Sequence, residues 1–131
     1  MAENTSVKAE EIVALSKKEG FLAKQLYVVF TTPTNGIGPV MENVKEHLAF
    51  QVKLEKEGIM FAAGPNWTDD GKSWEGDGMV VIRANSLADA KQIMERDPMH
   101  KSGAFKIRPW LVNEGTVSVR LNYSQGTFEM I

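Results

Sequence analysis

The chain has 131 residues, 43% of them hydrophobic and none of them cysteine, and its 15 basic and 17 acidic residues give a net charge of −2. This length favours one domain with a buried core, and the mixed charges argue against nucleic acids and anionic membranes as partners. The lack of cysteine excludes a disulfide framework, a thiol nucleophile and cysteine-ligated zinc. We find neither a signal peptide nor an apolar run that could span a bilayer, so we expect a cytoplasmic protein.

The first predicted element is a helical arm, which we assign to residues 1–24. Apolar side chains recur at helical spacing over residues 6–19, and this pattern stops at Gly20. Residues 25–32, QLYVVFTT, are rich in β-branched and aromatic side chains and are followed by Pro33. This composition predicts a first, buried strand.

A long helix and two strands are predicted next. The helix begins at Pro39 and runs to Gly58, and the strand IMFAAGP (59–65) follows it at once. A loop rich in Trp, Asp and Gly spans 66–78 and leads to the strand GMVVIRA (78–84). Short apolar segments bounded by glycine and proline are typical of strands.

A second helix and a fourth strand complete the predicted domain. Ser86 followed by Asp89 resembles a capping box, and we expect the helix that it begins to end at Pro98. Residues 104–112, AFKIRPWLV, form the fourth predicted strand, in which Pro109 favours an edge position or a bulge.

The element order over residues 25–113 is β-α-β-β-α-β, which predicts an α+β, ferredoxin-like fold. This fold has a four-stranded antiparallel sheet with both helices on one face and strands one and three at its centre. No helix remains to cover the other face, so we predict a homodimer that packs sheet against sheet. Residues 114–131 alternate apolar and polar side chains and are expected to form a C-terminal strand or hairpin extension.

His47 is the first candidate site residue, because it interrupts an apolar helix face. At about 100° per residue it shares the sheet-facing side of its helix with Val40 and Leu54, and an imidazole there needs a hydrogen-bond partner. On the second helix, Asp97 lies about 40° from Ile93 and at a height similar to that of His47. We therefore expect His47 and Asp97 within hydrogen-bond reach, directly or through one water, at the wall of a pocket between the helices and the sheet.

This pair has two interpretations. A carboxylate that accepts from one ring nitrogen fixes the histidine tautomer and leaves the other nitrogen as a base, so His47 and Asp97 can form an acid–base site. Alternatively, His47 is a core residue with satisfied hydrogen bonds, and Asp97 only ends a helix before proline. The spacing leaves both interpretations open.

An ordered set of short motifs over residues 25–113 resembles the YCII-related (YciI-like) domain family. The motifs are His47-Leu48, Glu57-Gly58, Ala63-Gly64-Pro65, Asp70-Gly71, Gly78-Met79, Ser86, Ala90, Asp97-Pro98, Gly103 and Arg108-Pro109-Trp110. Two residues depart from the family pattern. Met99 stands where an aromatic residue commonly follows Asp-Pro, and Gln51 interrupts the line of apolar residues on the long helix.

The resemblance implies a ferredoxin-like unit that dimerises through its sheet into an α/β barrel. It also implies a pocket in which His47 and Asp97 occupy the positions of the suspected active site. One branch with a similar general pattern eliminates chloride from chlorinated hydroxyquinols. The resemblance therefore implies proton abstraction from a small aromatic or carbonyl compound as the reaction class, without naming a substrate.

Five further side chains are candidates for contacting a small-molecule ligand: Phe61, Trp67, Ser73, Arg108 and Trp110. Aromatic groups in a polar segment either line a pocket or are buried in an interface. Arg108 and Trp110 alternate along the fourth strand and share a sheet face, where they can anchor a carboxylate or stack in a dimer interface. Ser73 has no base beside it in the sequence and is a poor candidate for a nucleophile.

We predict no metal and no cofactor. His47 and His100 are the only histidines and lack the i, i+4 spacing of a metal pair. The turn Asn35–Gly38 lacks the third glycine of a dinucleotide fingerprint, because Met41 stands in its place. The acidic residues of the 66–78 loop do not follow the order of a calcium-binding loop.

Three hypotheses about function follow. The first is a small acid–base enzyme, of the lyase, isomerase or dehydrochlorinase type, with His47 as the base and Asp97 as its orienting partner. The second is a binding module in which the same pair recognises a small ligand without chemistry. The third is a structural dimer in which the pair only satisfies buried polar groups.

Overall fold

A computed structural model describes residues 5–131. The chain divides into two compact units, one formed by Gln25–Leu111 and the other by the segments on either side of it. In chain order, the elements are α1 (Ala9–Lys18), β1 (Lys24–Pro33), α2 (Ile37–Lys56), β2 (Met60–Pro65), β3 (Gly78–Ile82), α3 (Leu87–Met94), a 3-10 helix (Pro98–Lys101), β4 (Gly103–Val112), β5 (Val119–Asn122) and β6 (Thr127–Met130).

The unit Gln25–Leu111 has the predicted α+β, ferredoxin-like architecture. Its sheet has the strand order β2-β3-β1-β4, so the first and third strands are central, as predicted. β3 pairs antiparallel with β1 and with β2. The register of β2 shifts between Met60 and Ala62, which leaves Phe61 as the extra residue of a β-bulge.

The helix α2 begins two residues earlier than predicted. Gly36 precedes it with φ +73°, a backbone conformation that favours glycine, and Ile37 is the first helical residue. Pro39 therefore lies within the first turn and does not begin the helix. Proline is tolerated there because the first backbone N–H groups of a helix have no intrahelical acceptor.

The helix α3 begins as predicted but ends early. The Ser86 hydroxyl accepts a hydrogen bond from the Asp89 N–H at 3.0 Å, and the Asp89 carboxylate accepts from the Asn85 N–H at 3.0 Å. The helix ends at Met94, so our expectation that it would continue to Pro98 is wrong. Proline disfavours a helical conformation in the residue before it, and here the helix stops before that residue is reached.

The core lies between the sheet and the helices. Val29, Val80 and Ile82 contribute from the central strands, Leu54 from α2 and Met94 from α3. These side chains are buried because one apolar stripe on each helix faces one face of the sheet.

The opposite sheet face is partly buried and partly exposed. Val28 and Val81 are paired across β1 and β3 and are buried, whereas Phe30 and Met79, paired one step further along the same face, are exposed. The face therefore keeps an apolar surface in contact with solvent.

The second unit combines both ends of the chain. Asn113 accepts a hydrogen bond from the Ala23 N–H at 3.1 Å and donates to the Ser16 hydroxyl at 3.0 Å. The predicted C-terminal hairpin is present, since β5 and β6 pair antiparallel with Val119 opposite Met130. The division into an arm, a domain and an extension remains a prediction.

Among the helices of residues 5–131, none combines the length and the apolar character that crossing a bilayer requires.

Candidate functional site

His47 and Asp97 are in direct contact. The Nδ1 atom of His47 lies 2.8 Å from Asp97 Oδ1 and 2.9 Å from Asp97 Oδ2. Because a carboxylate only accepts hydrogen bonds, Nδ1 carries the proton and donates to both oxygens. The expected proximity of these two side chains is therefore present.

Asp97 reaches His47 by a route that differs from the predicted one. The residue does not extend the inward face of α3, because it lies outside that helix, in an extended conformation with φ −70° and ψ 125°. It caps the 3-10 helix instead, and its Oδ1 accepts a hydrogen bond from the Met99 N–H at 2.9 Å. Pro98 is the first residue of that helix, where its fixed φ is favourable. A local cap, and not helical periodicity, therefore orients the carboxylate.

Gln51 is a third member of the cluster, and the sequence analysis did not identify it as a site residue. It lies one turn after His47 on α2, is buried, and donates from Nε2 to Asp97 Oδ2 at 3.1 Å. Its Oε1 atom is buried and has no hydrogen-bond partner in the part of the chain that the structure describes. The sequence contained the signal, since Gln51 interrupts the same apolar face as His47 at the i+4 position.

The cluster places a buried negative group among three donors. The side chain of Asp97 is 0% exposed, and burial alone would disfavour its charge. His47, Gln51 and the Met99 N–H each donate to it, and hydrogen bonds to the charged form stabilise that form.

The second ring nitrogen of His47, Nε2, takes no part in the contact with Asp97. Within residues 5–131, Nε2 has no hydrogen-bond partner, and this atom is not fully buried. The His47 side chain is 18% exposed. Because Nδ1 carries the proton, Nε2 keeps a lone pair that reaches the surface and can accept a proton.

The aromatic and basic candidates on the strands lie elsewhere. Phe61, the bulged residue of β2, contacts Arg83, whose guanidinium carbon is 5.6 Å from the ring centroid. Arg108 and Trp110 are exposed and alternate along β4 with Ile107, which packs against the helix-side core. None of these contacts of Phe61, Arg108 and Trp110 involves His47.

Trp67 and Ser73 belong to the loop between β2 and β3. Trp67 is 61% exposed. The backbone of Ser73 closes a turn with Thr68, because the Thr68 N–H donates to the Ser73 carbonyl at 2.9 Å and the Ser73 N–H donates to the Thr68 hydroxyl at 3.2 Å. The backbone of Ser73 thus stabilises the turn, and the serine hydroxyl takes no part in these two hydrogen bonds.

The same turn contains Asp70. The Thr68 hydroxyl donates to Asp70 Oδ1 at 2.6 Å, and the Lys72 N–H donates to the same oxygen at 3.0 Å. The hydrogen bond from Thr68, followed by that from Lys72, holds the pKa of Asp70 below its ordinary value.

Two cavities formed by the described residues lie away from the His47 cluster, since neither is lined by His47 or Asp97. A cleft of ≈ 440 Å³ is lined by Thr32, Pro33, Gly36, Ile37, Trp74, Glu75 and Asp77. A smaller cavity of ≈ 200 Å³ is lined by Lys91, Met94, Glu95, His100, Phe105 and Ile107. The pocket that we expect beside His47 and Asp97 is therefore neither of these.

Over residues 5–131, no group of three or more histidine, aspartate or glutamate side chains is placed to hold a metal ion. The expectation that the protein needs neither metal nor cofactor remains a prediction.

Residues 25–111 thus form a small α+β domain with a ferredoxin-like sheet and a buried carboxylate that contacts α2. The chain belongs to the family described as the YCII-related domain, whose profile matches residues 25–112. No curated protein matches the chain.

Among solved structures, the chain is similar to 5-chloro-2-hydroxyhydroquinone dehydrochlorinase (TftG) from Burkholderia phenoliruptrix AC1100, determined in complex with 2,5-dihydroxybenzoquinone. The two are 18% identical with a TM-score of 0.49, and the match covers 65% of this chain and 92% of that chain. This likeness is too distant to transfer the activity of that enzyme to this chain.

Proposed function

We propose that this protein is a small-molecule acid–base enzyme in which the Nε2 atom of His47 is the base and Asp97 is its orienting partner. One observation carries the proposal: a fully buried carboxylate binds Nδ1 of a histidine whose Nε2 has no partner among residues 5–131 and reaches the surface. This arrangement fixes one tautomer and presents one lone pair, as general base catalysis requires.

The proposed chemistry begins with a proton transfer. Nε2 of His47 takes a proton from an acidic C–H or O–H group of a small aromatic or carbonyl compound, and the electron pair of the broken bond moves into the conjugated system. Asp97 stabilises the imidazolium that forms, because its negative charge lies against Nδ1–H. The electron pair then expels an anionic leaving group in an elimination, or accepts the proton back at another carbon in an isomerisation. This chemistry needs no cofactor.

We also propose that the working form is a homodimer with sheet packed against sheet. The support is the apolar face of the sheet, where Phe30 and Met79 are exposed beside the buried Val28 and Val81. An antiparallel sheet with one uncovered apolar face is a common interface between identical subunits. Arg108 and Trp110 are exposed on β4, and in this proposal they contact ligand or partner at that interface.

Phe61, Trp67 and Ser73 keep their proposed roles as ligand contacts only if a ligand extends beyond the His47 cluster. Trp67 is the most accessible of them, since it is 61% exposed in the loop before β3. An exposed indole offers a large apolar surface with a polar N–H, which suits recognition of an aromatic compound.

A second candidate function is recognition of a small ligand without chemistry. The observation that favours it is the partial exposure of His47, whose side chain is 18% exposed, so that a ligand can reach its ring. In this alternative His47 binds a ligand hydroxyl through Nε2, and no proton is transferred permanently.

A screen of small phenolic, enol and keto compounds tests the proposal. The wild type and the His47→Asn variant are compared by product formation, with NMR detection of proton exchange at the substrate carbon. We expect exchange or turnover in the wild type and its loss in His47→Asn. Thermal stabilisation by a compound without exchange or turnover would support the binding function. If neither effect occurs with any compound, the structural hypothesis is the one that remains.

Sedimentation at micromolar concentration tests the proposed dimer. Phe30→Glu places a charge on the exposed sheet face and is expected to yield monomers. Glu46→Gln on α2 is the matched control and is expected to leave the dimer unchanged. A monomeric wild type would contradict the proposed dimer without affecting the proposed chemistry.

A further inference from the structure

We infer that Gln51 is a positioning residue, which holds the Asp97 carboxylate so that it keeps His47 in the Nδ1–H tautomer. The inference rests on the proposed function, since it concerns the same base, and it adds a residue that departs from the family pattern.

The geometry shows how the carboxylate is fixed at both of its oxygens. The Met99 N–H binds Oδ1 at 2.9 Å, and Gln51 Nε2 binds Oδ2 at 3.1 Å. His47 Nδ1 is then nearly equidistant from the two oxygens, at 2.8 and 2.9 Å. One of the two outer donors is backbone, so Gln51 is the side chain that prevents the carboxylate from turning about its terminal bond.

The orientation of the Gln51 amide follows from the chemistry of its partner. Asp97 accepts hydrogen bonds and donates none in its charged form, so the NH₂ group of Gln51 must face it. A flipped amide would place two acceptors against each other. The amide orientation is therefore determined by the contact with Asp97.

The contact with Asp97 leaves the other end of the Gln51 amide without a hydrogen bond. Gln51 is 8% exposed, and its Oε1 is buried with no hydrogen-bond partner among residues 5–131. A methionine or leucine at this position would avoid the unpaired acceptor. Buried unpaired acceptors are uncommon and need an explanation, and here the other end of the same amide provides one, because it is the second fixed point of the carboxylate.

The effect on His47 follows from tautomer chemistry. If Asp97 turns away, His47 can carry its proton on Nε2, and its remaining lone pair then points into the protein and not to the surface. The exposed nitrogen would lose its ability to act as a nucleophile or base. Gln51 thus acts on the ligand-facing atom through two hydrogen bonds, without touching it.

Diethyl pyrocarbonate tests this inference, because it modifies an unprotonated, accessible imidazole nitrogen. The chain has only two histidines, so His100, which stacks on Phe105 with ring centroids 3.8 Å apart, is an internal reference in every sample. The rates of modification at His47 and His100 are measured by mass spectrometry of peptides. In Gln51→Met we expect the His47 rate to fall about threefold or more relative to His100. Methionine has a similar length and no polar hydrogen.

The control is Gln92→Met, which makes the same substitution at an exposed position of α3. It should leave the ratio of the two rates unchanged. If folded Gln51→Met also keeps the wild-type ratio, Gln51 has only a packing role and the inference is wrong.

A second measurement does not depend on any variant. Long-range ¹⁵N NMR of the wild type, at a pH where His47 is neutral, distinguishes a protonated Nδ1 from a protonated Nε2. We expect Nδ1 to be protonated in His47, and a protonated Nε2 would overturn the inference. The two tests fail in different ways: an unchanged ratio in Gln51→Met contradicts only the role of Gln51 and leaves the proposed enzyme activity standing, whereas a protonated Nε2 in the wild type contradicts both. Both tests read the tautomer and not turnover, so they can succeed if no substrate is found.

Discussion

Two aspartates of this chain share one local hydrogen-bond pattern and differ in everything around it. Asp97 Oδ1 accepts from the N–H of Met99 at 2.9 Å, and Asp70 Oδ1 accepts from the N–H of Lys72 at 3.0 Å. In both cases an aspartate binds the backbone two residues later, which is the usual behaviour of aspartate in turns and caps.

The difference lies in burial and in the distance along the chain to the other donors. Asp97 is 2% exposed and also binds two side chains of α2, whereas Asp70 lies in an exposed loop and also binds the side chain of the nearby Thr68. Water can replace the partners of an exposed carboxylate, but it cannot reach a buried one. The local motif therefore orients both carboxylates, and only the long-range donors connect one of them to His47 and Gln51.

The largest effect is expected from removing the buried carboxylate. Asp97→Ala leaves the Gln51 amide, His47 Nδ1 and the Met99 N–H without their acceptor in a buried place. We expect the free energy of unfolding to fall by about 3–5 kcal/mol. Urea unfolding monitored by circular dichroism measures this loss.

Asp70→Ala is the matched control for this experiment, because it removes a carboxylate with the same local pattern from an exposed loop. It should change the unfolding midpoint little. Equal losses in the two variants would mean that burial does not distinguish the two aspartates, and the comparison would fail.

A smaller loss in the free energy of unfolding is expected from His47→Leu, which removes one hydrogen-bond donor to Asp97 and places an apolar side chain on the apolar face of α2. Asp97 would retain Gln51 and the Met99 N–H, so the loss is that of one charge-assisted hydrogen bond, about 1.5–3 kcal/mol, partly offset by burial of the leucine. Thermal unfolding with and without active compounds separates stability from function.

The same measurement on Leu48→Ala gives a reference for its neighbour, which is 56% exposed. We expect the change there to be small. If His47→Leu is as stable as the wild type or more stable, the histidine is retained for chemistry alone, and its contact with Asp97 contributes nothing to the fold.

Much of the fold could be predicted because it depends on local patterns. Strand composition and helical periodicity indicated the element order, and the Ser86 cap was evident from its spacing to Asp89. The predicted end of α3 was wrong, because the helix stops at Met94. Asp97 faces inward because it caps the 3-10 helix, and not because it continues the periodicity of α3. The bulge at Phe61 left no signal in a short strand.

The site was predictable to the extent that a polar residue in an apolar stripe is a signal. His47 was recognised by that signal, and Gln51 carried the same signal one turn later but was interpreted only as an interruption. The positions of the cavities depend on how loops such as the one around Trp74 pack, which no periodicity reports. The polar residues of the cluster could therefore be predicted from local pattern, whereas the positions of the cavities depend on long-range packing.

A third capping oxygen sharpens the comparison, because it is uncharged. The Ser86 hydroxyl accepts from the Asp89 N–H at 3.0 Å at the exposed start of α3. We expect Ser86→Ala to lower the free energy of unfolding by about 1 kcal/mol, as is typical for loss of an N-cap. Ser86→Asp should retain most of the stability, because aspartate also caps well and its charge suits a helix N-terminus. A loss in Ser86→Asp as large as in Ser86→Ala would show that the hydroxyl does not act as a cap.

The smallest effect concerns the pKa of Asp70, which the Thr68 hydroxyl and the Lys72 N–H hold below its ordinary value. Thr68→Val removes the hydrogen bond that lowers the pKa of Asp70 most and keeps the side-chain shape. The pKa of Asp70 should therefore rise toward its ordinary value, which ¹³C NMR of the carboxyl group measures. Because the folded-state pKa is lowered, the interaction stabilises the fold above the unfolded-state pKa of this aspartate, and the contribution is lost as the pH falls through the folded-state pKa. The effect on stability is small since the loop is exposed.

Thr68→Ser keeps the hydroxyl and should keep the lowered pKa of Asp70. Ser73→Ala leaves the backbone contact of residue 73 with Thr68 in place, so it should also leave the pKa of Asp70 unchanged. If the pKa of Asp70 stays low in Thr68→Val, the backbone donor alone sets it, and the local pattern that Asp70 shares with Asp97 is sufficient to stabilise a carboxylate even in water.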